Sequence, residues 1–492
     1  MAAHRFWLLI LMALAGCGGG GSSSSSMATG WVAGMFAPSA SFAGQCTTAL
    51  GQNNFLRSWT NETYLWYDEV VDRDPALSTT PAYFDLLKTM ALTPSGNAKD
   101  RFHFTIDTAT WNAFSQSGVS AGYGAELVVV SSLPPRRVVV GYTEPGSPAT
   151  AASLARGAEI LTADGVDVVN TTSSSGIDTL NNALFPDAAG ETHTFTVRDI
   201  GGGTRTVTMQ TANVTETPVQ NVVVLPGPVG YLLFNDHIAT AEPALVTAIS
   251  TLKNANITDL VLDIRYNGGG LLGIAGELAY MIAGGTRTAG KTFEQIVMNA
   301  KLGALPPLSF PTTTLGFSGA AGQPLPTLNL SRVFVLTGSG TCSASESIIN
   351  SLNGIGVTVI QIGSTTCGKP YGFDPQDNCG TTYFSIQFKG INNAGFGDYT
   401  DGFSPQNTLG TAGTRIPGCS VGDDFSHALG DPAEARLAAA LAYRLSPGSC
   451  PTPTGFAPSP GLRTSVRATL ASPGVEVKGR APWRENRLLR PQ

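Results

Sequence analysis

"ITDLVLDIRYNGGG", Ile257 to Gly270, runs an apolar stretch into three consecutive glycines. A continuous run of aliphatic residues without polar alternation reads as a strand buried on both faces, as in sheets covered by helices. The glycines after it make a loop with no side-chain bulk, so backbone N–H groups can be exposed there. Fixed N–H groups are what a developing oxyanion requires. A plain strand-to-helix turn uses the same glycines, so the rest of the chain has to choose between the two.

Outward from this stretch the pattern alternates. "VGYLLFN" (229–235) reads as a strand and "AEPALVTAISTLKNA" (241–255) as an amphipathic helix. "SRVFVLTG" (331–338) and "GVTVIQIG" (356–363) read as buried strands separated by a helix after Ser345, and "DPAEARLAAALAYRL" (431–445) as a late helix. Strands alternating with helices predict an α/β core, assigned here to residues 213–446. Upstream, "AELVVV", "RRVVVGYT", "AEILTADGVDVV" and "THTFTVRD" are short β runs with the helix candidate "GIDTLNNALF" among them. They predict a β-rich module over 116–212. Residues 44–115 are aromatic-rich with helical spacing, as at Phe55, Trp59, Leu65 and Val70, and predict a small helical domain. Residues 447–492 turn Pro/Ser/Arg-rich and read as extended or disordered, with "PWRENRLL" a segment able to dock.

The 492 residues carry 42% hydrophobic and only 13% charged residues, 58 glycines and a formal charge of −6. This composition suits an exported bacterial protein, and without a basic patch it argues against nucleic acid as a partner. "MAAHRFWLLILMALAGC" places Arg5 before a short apolar run and small residues before Cys17, the layout of a secretory signal over residues 1–16. Leu14-Ala15-Gly16-Cys17 resembles the bacterial lipobox. That resemblance implies lipid attachment at Cys17, a Gly/Ser-rich tether over 17–43, and a location on a bacterial membrane facing the periplasm or cell exterior. Six cysteines remain, Cys46, Cys342, Cys367, Cys379, Cys419 and Cys450. In an exported chain they are compatible with three disulfides in any of 15 pairings. With no C-x-x-C pair and five scattered histidines, a zinc site is not expected.

Two further stretches bear on the glycine loop. "GTCSASES" (340–347) opens a helix, and Ser343 with Glu346 fits the capping-box pattern. The same serine could be a nucleophile if a base lies near. "GSTTCGKPYGF" (363–373) places Lys369 just after a buried strand, and a partly desolvated lysine can act as general base. The spacing from Ser343 to Lys369 permits one helix-plus-strand crossover, which returns its end near its start.

Taken in order, "DIRYNGGG", "GTCSASE" and "TTCGK", following "YTEPGSPATAASLARGAEILTADG", resemble the carboxyl-terminal processing (tail-specific) serine peptidases with a PDZ domain, over roughly residues 50–445. The resemblance implies an α/β (α+β) multidomain chain: a helical N-terminal segment, a PDZ-like domain and a ClpP/crotonase-like core. It implies Ser343 as nucleophile, Lys369 as base, and an oxyanion hole from the N–H groups of Ala344 and a glycine of 268–270, Gly269 foremost. Asp263 and Arg265 would support that loop. Gly122, Tyr123, Gly124 and Ala125 would bind a peptide's terminal carboxylate. No cofactor or metal is implied; the partners are protein or peptide substrates with accessible C-termini. Ser345 is a rival nucleophile, and His237 an alternative base. The family commonly has a glutamine four residues after the lysine; here Phe373 stands there, and Gln376 is the nearest substitute. Cys342 and Cys367 flank the proposed pair, and either is placed to close a loop with Cys379 or Cys419. A catalytically inactive, peptide-binding scaffold lipoprotein is the alternative.

Overall fold

The computed structural model describes residues 31–303, 305–411 and 413–454, and the backbone of Arg487–Leu488. The signal segment, Cys17 and most of the distal tail lie outside the described residues.

The stretch Ile257–Gly270 supplies the middle of a six-stranded sheet. Val219–Leu225 pairs antiparallel with Val229–Phe234, and then Val229–Phe234, Asp259–Asp263, Arg332–Thr337, Thr358–Gly363 and Gly418–Ser420 run parallel. Both faces are covered, as the uninterrupted apolar runs require. Leu232, Phe234, Leu260, Leu262, Val333 and Val335 point to one side, against helices Ala241–Asn254, Leu272–Ala283 and Ala344–Gly354. Tyr231, Leu233, Val261, Phe334 and Leu336 point to the other, against Ala435–Leu445. Each such side chain, fully buried, stabilises the fold by about 1.5–3 kcal/mol.

Residues 116–212 form a separate antiparallel layer ordered Ala125–Ser131, Arg137–Thr143, Glu159–Ala163, Thr192–Arg198, Thr204–Gln210, with Val166–Asp167 paired onto Glu159–Ala163. Helix Ser174–Leu184 packs Leu180, Ala183 and Leu184 into its core. The module sits on the main core through Arg156. That guanidinium donates to Gly141 O at 2.8 Å, Tyr266 Oη at 2.6 Å and Asp423 Oδ1 at 2.6 Å.

Two expected boundaries shift. The N-terminal segment is no independent helical unit. Phe104–Asp107 pairs antiparallel with Thr381–Phe384 of the core, and Cys46–Cys379 links the two covalently. Phe84 stacks edge-on to Tyr383, so the aromatics of the segment pack against the core as well as one another. The expected tether ends earlier than residue 43. Arg57 donates to Met35 O and Val32 O, and Ser39 N–H and Oγ donate to Glu62. These bonds fasten residues 31–43 to helix Ala49–Thr63.

Between 285 and 330 the sequence suggested no element, yet the chain adds Thr292–Met298, paired antiparallel with Phe388–Ile391. The excursion that follows is tied down by two buried glutamates. Glu277 Oε1 accepts Leu315 N–H at 2.7 Å, and Glu242 accepts Gly316 N–H at 2.7 Å and Phe317 N–H at 2.9 Å. Burial pushes the Glu277 carboxyl from 4.5 up to about 8; the Leu315 N–H opposes the rise and the neighbouring Glu242 adds to it. A carboxyl raised in the folded state holds a proton that the unfolded chain has already lost above pH 4.5. Its contribution to stability is therefore full below that pH and declines as pH rises toward about 8. Thermal unfolding of Glu277→Gln is expected to lose this decline between pH 5 and 8 relative to the parent chain; parallel profiles for the two would refute the assignment.

Candidate active site

The site forms where three chain segments meet at the C-terminal ends of the parallel strands, the usual place for ligands in such sheets. The first is the glycine loop, which Asn267 organises. Its side-chain oxygen accepts the His237 ring Nδ1–H at 2.9 Å and the Gly269 N–H at 2.9 Å, while its amide donates to Phe234 O at 3.0 Å. Its backbone oxygen accepts Cys342 N–H at 3.1 Å and the Ser345 hydroxyl at 3.0 Å. One asparagine thus fixes the loop to the serine turn. Gly269 adopts φ +100° and Gly270 φ +140°; a Cβ on Gly270 would lie 2.5 Å from His237 O. Glycine is required at Gly270 by both conformation and space.

The second segment is the serine turn. Ser343 is fully buried and adopts φ 59°, ψ −115°, far from the extended conformation of an ordinary N-cap. Such a conformation costs about 1–3 kcal/mol and persists only when the surroundings enforce it. Glu346 Oε2 accepts the Ser343 N–H at 3.0 Å, but the Ser343 hydroxyl has no hydrogen-bond partner among the described residues. Ser343 and Glu346 stand in the capping-box arrangement, yet the Ser343 hydroxyl makes no side-chain cap hydrogen bond. The rival Ser345 has its hydroxyl engaged by Asn267 O. Ala344 begins helix Ala344–Gly354, so its N–H is among the donors that helix geometry leaves without an internal acceptor.

The third segment carries Lys369, also fully buried. Its backbone N–H donates to Glu346 Oε2 at 2.8 Å, the Gly368 N–H to Oε1 at 2.8 Å, and the Thr366 hydroxyl to Oε1 at 2.5 Å. Because Ser343 N and Lys369 N reach one oxygen at 3.0 and 2.8 Å, they lie within about 6 Å of each other. A disulfide joins Cys342 to Cys367, one residue before the serine and two before the lysine. The expected loops to Cys379 and Cys419 do not form; those cysteines pair with Cys46 and Cys450. Closing a 25-residue separation in this way is worth about 3–4 kcal/mol in the chain-entropy account. The same bond removes Cys342 and Cys367, which cluster with Glu346, as metal ligands.

The Lys369 Nζ sits 4.1 Å from the Phe373 ring centre and 4.7 Å from that of Phe102. Two aromatic faces occupy the place where a glutamine was sought. Gln376 does not fill that role. It lies on the strand Gln376–Asn378 at the edge of the small N-terminal sheet, and its amide donates to Asp377 O. His237 is buried and its ring is pushed down to about pKa 3 by that burial, the Asn267 bond opposing. Both its Nε2 and the Ser343 hydroxyl lack partners, so the two are not bonded to each other. Gly269, expected in the oxyanion hole, directs its N–H to Asn267 instead. Gly268 has no such acceptor among the described residues, which makes it the better donor of the three.

Asp263 and Arg265, expected to support the loop, do so through partners that sequence reading missed: Glu434, Asp423 and Tyr231. Arg265 is fully buried and bonds Asp263, Glu434 at 2.8 and 3.0 Å, and Asp423 at 2.8 Å; Tyr231 Oη donates to Asp263 at 2.7 Å. Burial raises Asp423, but Arg436, Arg265 and Arg156 outweigh it and hold the carboxyl well below the usual carboxylate range. The four expected carboxylate-loop residues join two strands of the β-rich module. Gly122 ends Val119–Gly122, Ala125 begins Ala125–Ser131, and the buried Tyr123 donates its hydroxyl to Ala183 O at 2.8 Å. Gly124, at φ +70°, has no room for a Cβ, which would lie 2.3 Å from Ser147 Cβ.

Glu346→Gln keeps the volume but turns two of the acceptor positions toward N–H groups, so it should loosen both turns at once. Hydrogen bonds to a charged group are worth about 1.5–3 kcal/mol each. The variant is expected to unfold several degrees lower and to lose about 100-fold in turnover of any substrate that Ser343 attacks, with little change in KM. Differential scanning fluorimetry and steady-state kinetics check this, and parent-like values in both would refute it.

Comparison with known proteins finds relatives for part of the chain. Residues 228–376, which contain the glycine loop, Ser343 and Lys369, match the model for peptidase family S41. The chain is 27% identical over 225 residues to carboxyl-terminal-processing peptidase 2, chloroplastic, of Arabidopsis thaliana, covering 44% of this chain and 42% of that protein. It is 29% identical over 258 residues to the carboxyl-terminal-processing protease of Picosynechococcus sp., covering 52% and 56%. The matched region thus spans about half the length of these curated relatives. Among solved structures, a Bacteroides fragilis NCTC 9343 protein assigned to the S41 proteases superposes with a TM-score of 0.59 at 23% identity, covering 80% of this chain and 97% of that one. The photosystem II D1 C-terminal processing protease gives 0.42 at 21%, covering 73% and 92%. The segment of this chain that holds the glycine loop, the serine turn and the buried lysine is thus the segment similar to peptidase family S41.

Proposed function

We propose that this chain is a serine endopeptidase acting on proteins with accessible C-termini. The observation that carries it is the unpartnered, buried Ser343 hydroxyl on a strained turn, held by Glu346 and the Cys342–Cys367 bond beside Lys369. Ser343 Oγ attacks the scissile carbonyl carbon while Lys369 Nζ takes its proton. The oxyanion forms between the N–H groups of Ala344 and Gly268, helped by the N-terminus of helix Ala344–Gly354. Collapse breaks the C–N bond, the lysine proton goes to the leaving amine, and an acyl-enzyme at Ser343 remains. Water, deprotonated by Lys369, then hydrolyses that ester. No Ser343–Lys369 hydrogen bond is present without substrate, and such bonds often tighten only in the bound complex.

Substrate capture is assigned to the β-rich module as a PDZ-like domain. Ala125–Ser131 is the edge strand of its sheet, with the half-buried Leu127 and Val129 packed on the module's core. An exposed edge strand can accept an extended peptide as an added strand, and backbone N–H groups around Gly122–Ala125 can hold its terminal carboxylate. The alternative, a peptide-binding scaffold without catalysis, draws on Phe373, which stands where the family commonly has a glutamine.

We further assign the chain to the bacterial envelope as a lipoprotein anchored through Cys17. No helix among the described residues is long and apolar enough to cross a membrane.

The purified chain should cleave an unstructured protein. Ser343→Ala and Lys369→Ala should each lower kcat/KM about a thousand-fold or more, while Ser343→Ala still binds substrate. Amidating the substrate's C-terminus should weaken capture about ten-fold. Binding without cleavage by the parent chain would favour the scaffold. Separately, Cys17→Ser should move the protein from the membrane to the soluble fraction; retention in the membrane would place the anchor elsewhere.

A further inference from the structure

The distal segment Arg487–Leu488 forms a strand parallel to Gly270–Leu271, with Gly270 opposite Arg487 and Leu271 opposite Leu488. It also comes close to Tyr371–Gly372. These two flanks are the ends of the catalytic loops: Gly270 follows Gly268 and Gly269 directly, and Tyr371 is two residues beyond Lys369. Gly270 also bridges His237 in parallel register, with Leu271 N–H donating to His237 O at 2.8 Å and His237 N–H to Gly269 O at 3.3 Å. In a parallel ladder the N–H and C=O of one residue face the same neighbour and those of the next residue face the opposite one. With Gly269 O and Leu271 N–H turned to His237, the Gly270 N–H and C=O face the edge that Arg487 occupies. Tyr371 also lines a cleft of about 400 Å³ together with Tyr399, Asp401 and Lys99. The intervening residues 455–486 could extend about 100 Å, so chain length does not restrict this placement.

We propose that the groove between Gly270–Leu271 and Tyr371–Gly372 binds an extended peptide as an added strand, and that its resident ligand is this chain's own segment around Arg487–Leu488. The inference rests on the peptidase reading for its consequence: a peptide seated there lies across the approach to Ser343, so substrate must displace it. Recognition is through the backbone, which any extended polypeptide can supply. A tethered segment acts at an effective concentration of about 1 mM, so an intrinsic dissociation constant of about 0.1 mM would raise the apparent KM about ten-fold.

Proline at 487 and 488 removes the N–H groups a ladder needs while leaving the folded core untouched. The test uses the full chain in the Ser343→Ala background, with a fluorescein-labelled peptide of residues 480–492 followed by anisotropy. The chain carrying Arg487→Pro and Leu488→Pro should bind the peptide about ten-fold more tightly than the chain with its native segment. Equal affinities, or no binding to either, would overturn the proposal. With Ser343 restored, the same double variant should hydrolyse an unstructured substrate at several-fold lower KM and unchanged kcat; an unchanged KM would overturn the competition. If no chain hydrolyses anything yet the anisotropy difference holds, the peptidase reading fails and the groove's occupant stands.

Discussion

The carboxylate of Glu346 is the group on which the arrangement of the site depends. It is fully buried, and it accepts N–H groups from Ser343, Gly368 and Lys369 and the Thr366 hydroxyl. A carboxylate taken out of water without partners would cost several kcal/mol. Here the four donors come from two turns that are remote in sequence, so its solvation requirement forces those turns together. The Thr366 hydroxyl is drawn in further by accepting Phe403 N–H at 2.8 Å. Burying the charge and assembling the site are the same event.

That convergence explains how Ser343 holds its unfavourable backbone. A left-handed φ on a serine relaxes unless both neighbours are fixed. The Cys342 N–H is bonded to Asn267 O and its sulfur to Cys367, while the helix beyond Ala344 is buried along its inner face. The hydroxyl is then left with nothing to bond, which is unusual for a buried polar group. Ser345, two residues on, does satisfy its hydroxyl, and the contrast separates the two candidates more sharply than their shared tetrad did.

Much of the core was legible because its signals are local. Buried parallel strands such as Asp259–Asp263 and Thr358–Gly363 read as unbroken apolar runs, and helix Ala241–Asn254 as one amphipathic stripe. What escaped depends on distant partners. Phe104–Asp107 reads as no strand of its own until Thr381–Phe384 pairs with it. Glu346 was readable as a capping residue, but its donors at 366–369 follow a crossover that the tetrad does not encode. Asp423 looks like an ordinary polar loop residue, and Glu434 like one at the start of the late helix, until Arg265 is placed between them. The disulfide pairing was equally beyond reach, since spacing alone does not choose among cysteines that the fold brings close.

The same network gives the β-rich module a physical connection to the glycine loop. Arg156 of that module bonds Tyr266 and Asp423, and Asp423 in turn bonds Arg265. Tyr266 precedes Asn267, the residue that orders Gly269 and anchors the serine turn. Tyr142 and Tyr266 also pack with ring centres 5.8 Å apart, and a Cβ on Gly141 would approach the Tyr266 ring at 3.2 Å. Buried ion pairs are weak stabilisers but are strongly disturbed when one partner moves, because the remaining charge is left unpaired. A shift of the module on the core would therefore act on Arg156 and Tyr266 before any other part of the site. The glycine loop is thus held from one side by the core and from the other by the β-rich module.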